Sequence, residues 1–196
     1  MSFISGTQTE LVWSGPSVSY AAVNAASSSA QFLLAGATGA FEQPFIPANF
    51  WQMGRRNQRA RISMAGVLNS TGGTATTAIM TVGLATAPNT ATPGTGGGAL
   101  CASSAVTVTS FAASTGWRLD VDMLSRNVGY GTTSVSTSLL SDGLFQVNAV
   151  QGSAAPTLLS TVDATAQWWV YATITFSTLV TTNLCQVTRA EIWGLN

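Results

Sequence analysis

Residues 167–176 read QWWVYATITF, and the fold turns on their alternation. One parity carries Trp168, Val170, Ala172, Ile174 and Phe176; the other carries Trp169, Tyr171, Thr173 and Thr175. A period of two with one wholly apolar face marks a strand lying on a core. On that parity Trp168 belongs to the core, and Trp169 lies nearer a surface or a subunit contact. After a polar stretch at 177–183, residues 184–193 read LCQVTRAEIW and are again rich in Thr, Val, Ile and Trp. An antiparallel hairpin of two long strands is the economical expectation, and their apolar faces require a second sheet.

Working backwards, the same alternation recurs. WRLDVDM (117–123) places Trp117, Leu119, Val121 and Met123 opposite Arg118, Asp120 and Asp122. RARISMAGVL (59–68) begins with Arg59 and Arg61 on one face and Ala60 and Ile62 on the other. Residues 74–84 alternate in the same way, and NSTGG (69–73) between the two has the composition of a hairpin turn. Further strands are expected at 105–111, 135–140 and 144–147, whereas the Pro/Gly/Thr-rich run 87–98 reads as a surface loop and the Pro-interrupted 45–51 as an edge or crossing. Eight or nine short strands without a helix describe an all-β fold. The count fits a two-sheet antiparallel jelly-roll sandwich of about eight strands.

The first thirty residues stand apart. Glu10 to Trp13 has the makings of a short strand, but Gly15-Pro16 breaks it and 21–30 is almost entirely Ala and Ser. Residues 1–30 therefore read as an extended N-terminal arm or linker and 31–196 as the sandwich domain. Phe3, Ile4, Leu11, Val12 and Trp13 are the arm's sizeable apolar groups, which makes them its candidate partner-binding residues.

Composition narrows the function. Among 196 residues, 7% are charged, Lys and His are absent, and seven Arg balance seven acids. Solvated domains carry about a quarter charged residues, so much of this surface is expected to meet other protein. Zero net charge offers no general field for nucleic acid or membrane, and no apolar run approaches the roughly 20 residues of a span. Met1 to Ser5 lacks the basic and apolar regions of a signal peptide. Cys101 and Cys185 are far apart, with no Cys-x-x-Cys and no His to complete a zinc site; buried reduced thiols are expected, and neither a metal nor a cofactor.

Candidate chemistry is sparse. A nucleophile would need a base that the His-free chain does not supply in the usual form. Asp120 and Asp122, two apart on a strand, have a spacing of about 7 Å that glycosidase carboxylates also occupy, but a solvated strand face looks the same. GRRNQRAR (54–61) gathers Arg55, Arg56, Arg59 and Arg61. Such a cluster grips phosphates or pairs with carboxylates of the same or a neighbouring subunit, and in a neutral chain protein contact is the favoured reading.

The order of features then matters more than any one of them: PFIPANFW (44–51), a Gly-Arg step, Arg-x-Arg-x-x-x-x-Gly from Arg59, a Thr-rich strand, TGWRLDVD (115–122), Val162-Asp-Ala-Thr and a final strand pair. From residue 31 onward this order resembles the jelly-roll structural proteins of tailed-phage virions. The resemblance implies a non-enzymatic virion component with no catalytic residue. Its first form is a capsid decoration or cement protein binding the major capsid protein as a homotrimer, assembled in the host cytoplasm and carried on the capsid exterior. A tail or baseplate receptor-binding knob recognising host surface glycan is the alternative. The absence of repeats and heptads departs from a fibre shaft and favours a compact knob.

Overall fold

The computed structural model describes residues 9–14, 23–24, 31–34, 43–52, 58–69, 76–88, 94, 97–108, 115–126, 136–178 and 183–195. These form two antiparallel β-sheets and one 3₁₀ turn, Phe50–Gln52. The strands are β1 (Thr9–Ser14), β2 (Val23–Asn24), β3 (Gln31–Phe32), β4 (Phe45–Ile46), β5 (Arg59–Asn69), β6 (Thr76–Ala85) and β7 (Gly98–Ala102). They continue as β8 (Val106–Val108), β9 (Thr115–Arg126), β10 (Ser136–Val147), β11 (Val150–Ser153), β12 (Thr157–Asp163), β13 (Trp168–Phe176) and β14 (Leu184–Leu195).

The larger sheet runs β1-β14-β5-β9-β10, with β2 also on β14 and both β11 and β12 along the far edge of β10. In the smaller sheet β3 and β4 share one edge of β13, β6 follows, and β7 and β8 share the far edge of β6. If β1/β2, β3/β4 and β7/β8 each count as one position, the chain visits eight positions before the β10–β12 segment is added. Numbered in chain order, the larger sheet reads 1-8-3-6 and the smaller 2-7-4-5. This is the double Greek key of a jelly roll. The strands β10, β11 and β12 are an insertion between the sixth and seventh positions that widens the larger sheet.

The two C-terminal strands do not form the hairpin that their sequence favours. β13 lies between β4 and β6 in the smaller sheet, and β14 lies between β1 and β5 in the larger one. Both strands are interior to their sheets, so each has its backbone bonds satisfied on two sides without the other, and they meet face to face across the core. Trp168, Val170, Ala172, Ile174 and Phe176 all point into that core, as do Cys185, Val187, Ala190 and Ile192 from the opposite side. Trp168 is buried and Trp169 half-buried, in keeping with their parities. On the second face of β13, however, Tyr171 and Thr173 are also buried.

Two strands expected upstream are one. Within the described residues, the strands expected at 135–140 and 144–147 are parts of the unbroken β10 (Ser136–Val147), which crosses Asp142-Gly143 where a turn signal stands. Gly143 is needed there for space, because a Cβ would collide with the Cys101 sulfur beneath it. The insertion then folds over the edge of the smaller sheet. Ser104 N donates to Ser153 O at 3.0 Å, and the buried Ser141 hydroxyl donates to Leu100 O at 2.5 Å. These bonds seal one side of the sandwich, so the β7/β8 edge is not offered to solvent as a template.

The segment set apart as an arm contributes to the larger sheet. β1 pairs with β14 from Thr9↔Leu195 to Ser14↔Glu191, with an irregularity between Leu11 and Trp13. That irregularity turns Trp13 inward, where it is 8% exposed within the chain's own core. Phe3 and Ile4 lie outside the described residues.

Candidate interaction surface

Alternation along β5, β9, β10 and β14 gives the larger sheet an outward face whose cross-strand rows follow from the register. One row runs Trp193, Arg61, Asp122, Asp142. The next runs Glu191, Ser63, Asp120, Leu144, and on the other side lies Arg59, Leu124, Leu140, Leu158. Residues opposite one another on such a sheet have Cβ atoms about 4.5–5.5 Å apart, close enough for their heads to meet.

Arg61 reaches Asp122 with both ends of its fork, Nε to Oδ1 at 2.8 Å and Nη2 to Oδ2 at 2.9 Å. The Asp122 hydrogen bond holds the guanidinium proton more firmly than usual, with partial burial acting against it. Side-chain exposures of 43% and 34% leave the pair in reach of water, so it contributes at most about 1 kcal/mol. Asp120 accepts from Ser63 Oγ at 2.8 Å and from Arg118 Nη2 at 3.2 Å. Glu191 pairs with Arg189 at 3.3 Å and accepts from Trp193 Nε1 at 3.1 Å. Every ion pair among the described residues is therefore on this one face. Asp142, exposed and opposite Asp122, is the acid on it that lacks a basic partner among the described residues.

The paired acids that invite a glycosidase reading are thus held in place by Arg and Ser side chains. Chemically the arrangement pins β5 to β9. Of the Arg cluster, Arg59 and Arg61 stand on the outward face at the start of β5; Arg61 is engaged within its own chain and Arg59 is exposed. Arg55 and Arg56 lie outside the described residues. A shallow cavity of about 170 Å³ opens between Arg59, Asp122, Leu124, Leu140, Asp142 and Pro156. It joins the charged row to the leucine row and has room for one large side chain.

The smaller sheet is the opposite case. Its strands β3, β4, β6, β7, β8 and β13 contain no Asp, Glu or Arg at any position. Its outward face presents Thr77, Ile79, Thr81, Thr175 and the tilted ring pair Phe45 and Trp169, whose centroids are 5.4 Å apart. Sequence reasoning weighed the charged residues one by one and missed this division. It was visible strand by strand, but only the sheet order assigns each strand to a side.

Of the apolar candidates in β1, Leu11 is exposed and Val12 half-buried, while Trp13 is sealed in its own core and offers no ring to a neighbour. Both cysteines are buried and unbridged. Burial pushes the Cys101 thiol up to about 11, with Asp142 adding to the shift, and pushes Cys185 up further. No group of His, Cys, Asp or Glu among the described residues has the makings of a metal site. Comparison with family models, with curated proteins and with solved structures finds no match to this chain.

Proposed function

We propose that this chain is a non-enzymatic structural protein of a virion, a capsid decoration protein that binds the major capsid protein on the capsid exterior as a homotrimer. The observation that carries the reading is the division of charge between the sheets. A sheet whose six strands hold no acid and no Arg is poorly suited to face water alone and well suited to a protein contact, because burying it strands no charge. The jelly-roll strand order agrees with the resemblance drawn from residues 31–196, and the face bearing the ion pairs is the natural solvent side. The Phe45–Trp169 ring pair favours a second reading, a tail or baseplate knob, since a half-buried aromatic pair on an uncharged sheet is a platform for a sugar ring.

Counting separates the two. Particles assembled with the full chain should carry hundreds of copies of it, measured by quantitative mass spectrometry, and the isolated chain should sediment at three times its 20.2 kDa mass. Tens of copies or fewer would favour the knob, and absence from the particle would refute both.

A further inference from the structure

Three arginines of the larger sheet are neutralised by an acid of their own chain: Arg61 by Asp122, Arg118 by Asp120 and Arg189 by Glu191. Arg59 and Arg126 are left over, both exposed and neither with a carboxylate partner among the described residues. They are also neighbours. Leu124 stands directly opposite Arg59 across the β5–β9 ladder, and Arg126 follows Leu124 by two residues on the same outward face. Diagonal positions of this kind lie about 7–8 Å apart, which lets two long side chains bring their heads to one point. In sequence Arg59 is grouped with Arg55, Arg56 and Arg61; the fold engages Arg61 elsewhere and sets Arg126 beside Arg59.

The backbone beneath the pair is clamped. Gln58 O, one residue before Arg59, accepts from Ser125 N at 2.9 Å and from the buried Ser125 hydroxyl at 3.0 Å. Arg126 O accepts from the buried Thr137 hydroxyl at 3.2 Å. The roots of both side chains are thus fixed before any partner arrives, which lowers the ordering cost of binding. Beside Arg59 opens the cavity of about 170 Å³, whose apolar lining includes Leu124, Leu140 and Pro156. Of the two acids that line it, Asp122 is held by the Arg61 fork at 2.8 and 2.9 Å. Asp142 stands next to Asp122 across the β9–β10 ladder, on the side of Leu124 away from Arg126.

We infer that this corner of the larger sheet binds an acidic, extended segment of a partner protein. A carboxylate of that segment takes the two guanidiniums, whose planar forks match it with paired hydrogen bonds. An apolar side chain two residues further along the segment, about 7 Å away, fills the cavity. Asp142 sets the direction, because it repels the acidic end and sends it to the Arg59–Arg126 side. A nucleic-acid strand fits less well, since its repeated phosphates would run on past Asp122 and Asp142, whereas a segment with one or two carboxylates stops short of them. The corner belongs to the opposite sheet from the uncharged one, so it stands or falls apart from the trimer and from the choice between capsid and tail.

The test is fluorescence anisotropy at low salt, with the full chain and a labelled synthetic peptide in which glutamate alternates with leucine and threonine. Its glutamine counterpart and a thymidine oligonucleotide are the comparisons, and circular dichroism verifies that each variant is folded. The native chain should bind the glutamate peptide at least about fivefold more tightly than the glutamine one, with the difference fading in high salt. Arg59→Gln and Arg126→Gln should each weaken binding about threefold, and together about tenfold. Arg189→Gln removes the same charge from the same face and should change nothing, while Asp142→Asn should tighten binding. The proposal is overturned if the native chain does not prefer the glutamate peptide, or if Arg189→Gln loses as much as Arg126→Gln. It is equally overturned if Asp142→Asn weakens binding, or if the oligonucleotide binds more tightly than the peptide.

Discussion

Trp168 is 1% exposed, and its indole Nε1 donates to Asp163 O at 2.7 Å, so truncation removes a large packed ring and leaves a buried carbonyl short of a partner. Trp168→Ala is expected to cost about 3–5 kcal/mol in urea unfolding; a loss under about 1 kcal/mol would mean that the ring is not where the core places it. The thiols give a pH signature. Cys101 ionises near 9.0 when exposed but only at about 11 in the fold, so the unfolded chain releases its proton first. Stability from this group is complete below about pH 9 and declines as pH rises towards 11, and Cys185, raised in the same direction, extends the decline upward. Unfolding curves from pH 7 to 11 should fall in that window, and the Cys101→Ala chain should fall less steeply. Equal slopes in the two chains would assign the effect elsewhere. At this scale the sequence was readable wherever parity was clean: Ala60 and Ile62 against Arg61, or Trp117 to Met123 against Asp120 and Asp122, fall as alternation demands. It failed at Tyr171 and Thr173, whose burial on the second face of β13 depends on what lies over that sheet and leaves no mark in a period of two.

Among the elements, β1 separates local pattern from tertiary context. Its ELVW core is a fair strand by composition, yet nothing nearby says that its partner is β14, almost the whole chain away. The same limit hid β7, β11 and β12. β12 reads TLLSTVD, where adjacent Leu158 and Leu159 defeat alternation because one points to solvent and the other packs against the core. The hairpin expected at the C-terminus failed for a related reason, since two long apolar strands joined by a short turn are equally suited to pair or to face each other. For β1 the expectation is now specific. Trp13→Ala should destabilise the isolated chain by about 3 kcal/mol, whereas Leu11→Ala, 46% exposed on the outward side, should change stability by no more than about 0.5 kcal/mol. If both were silent in isolated protein and both weakened assembly, the segment would act purely as an arm held by a neighbour.

Over the whole molecule, the partition of charge between two sheets turns a neutral chain into a two-sided one. Ile79, 37% exposed on the uncharged side, is the place to test what that side does. If the proposed homotrimer forms through this side, Ile79→Arg should abolish it while the circular dichroism of the folded chain stays unchanged; trimers of normal stability would locate the contact elsewhere. The β1–β14 pairing has a mechanical consequence. Thr9 and Leu195 are opposed at one end of an antiparallel pair, so tension applied between them opens the β1–β14 ladder from that end, one bond after another, instead of shearing all its bonds together. Pulled through these two points, the chain should lose β1 at low force, with Trp13 leaving its socket as the last resistance. The remaining sheet, closed along its far side by the bonds from Ser104 and Ser141, should yield only in a later and larger step. Anchoring instead at Thr9 and Ser14's partner Glu191 would load the same ladder along its length, and the first rupture should then move to markedly higher force.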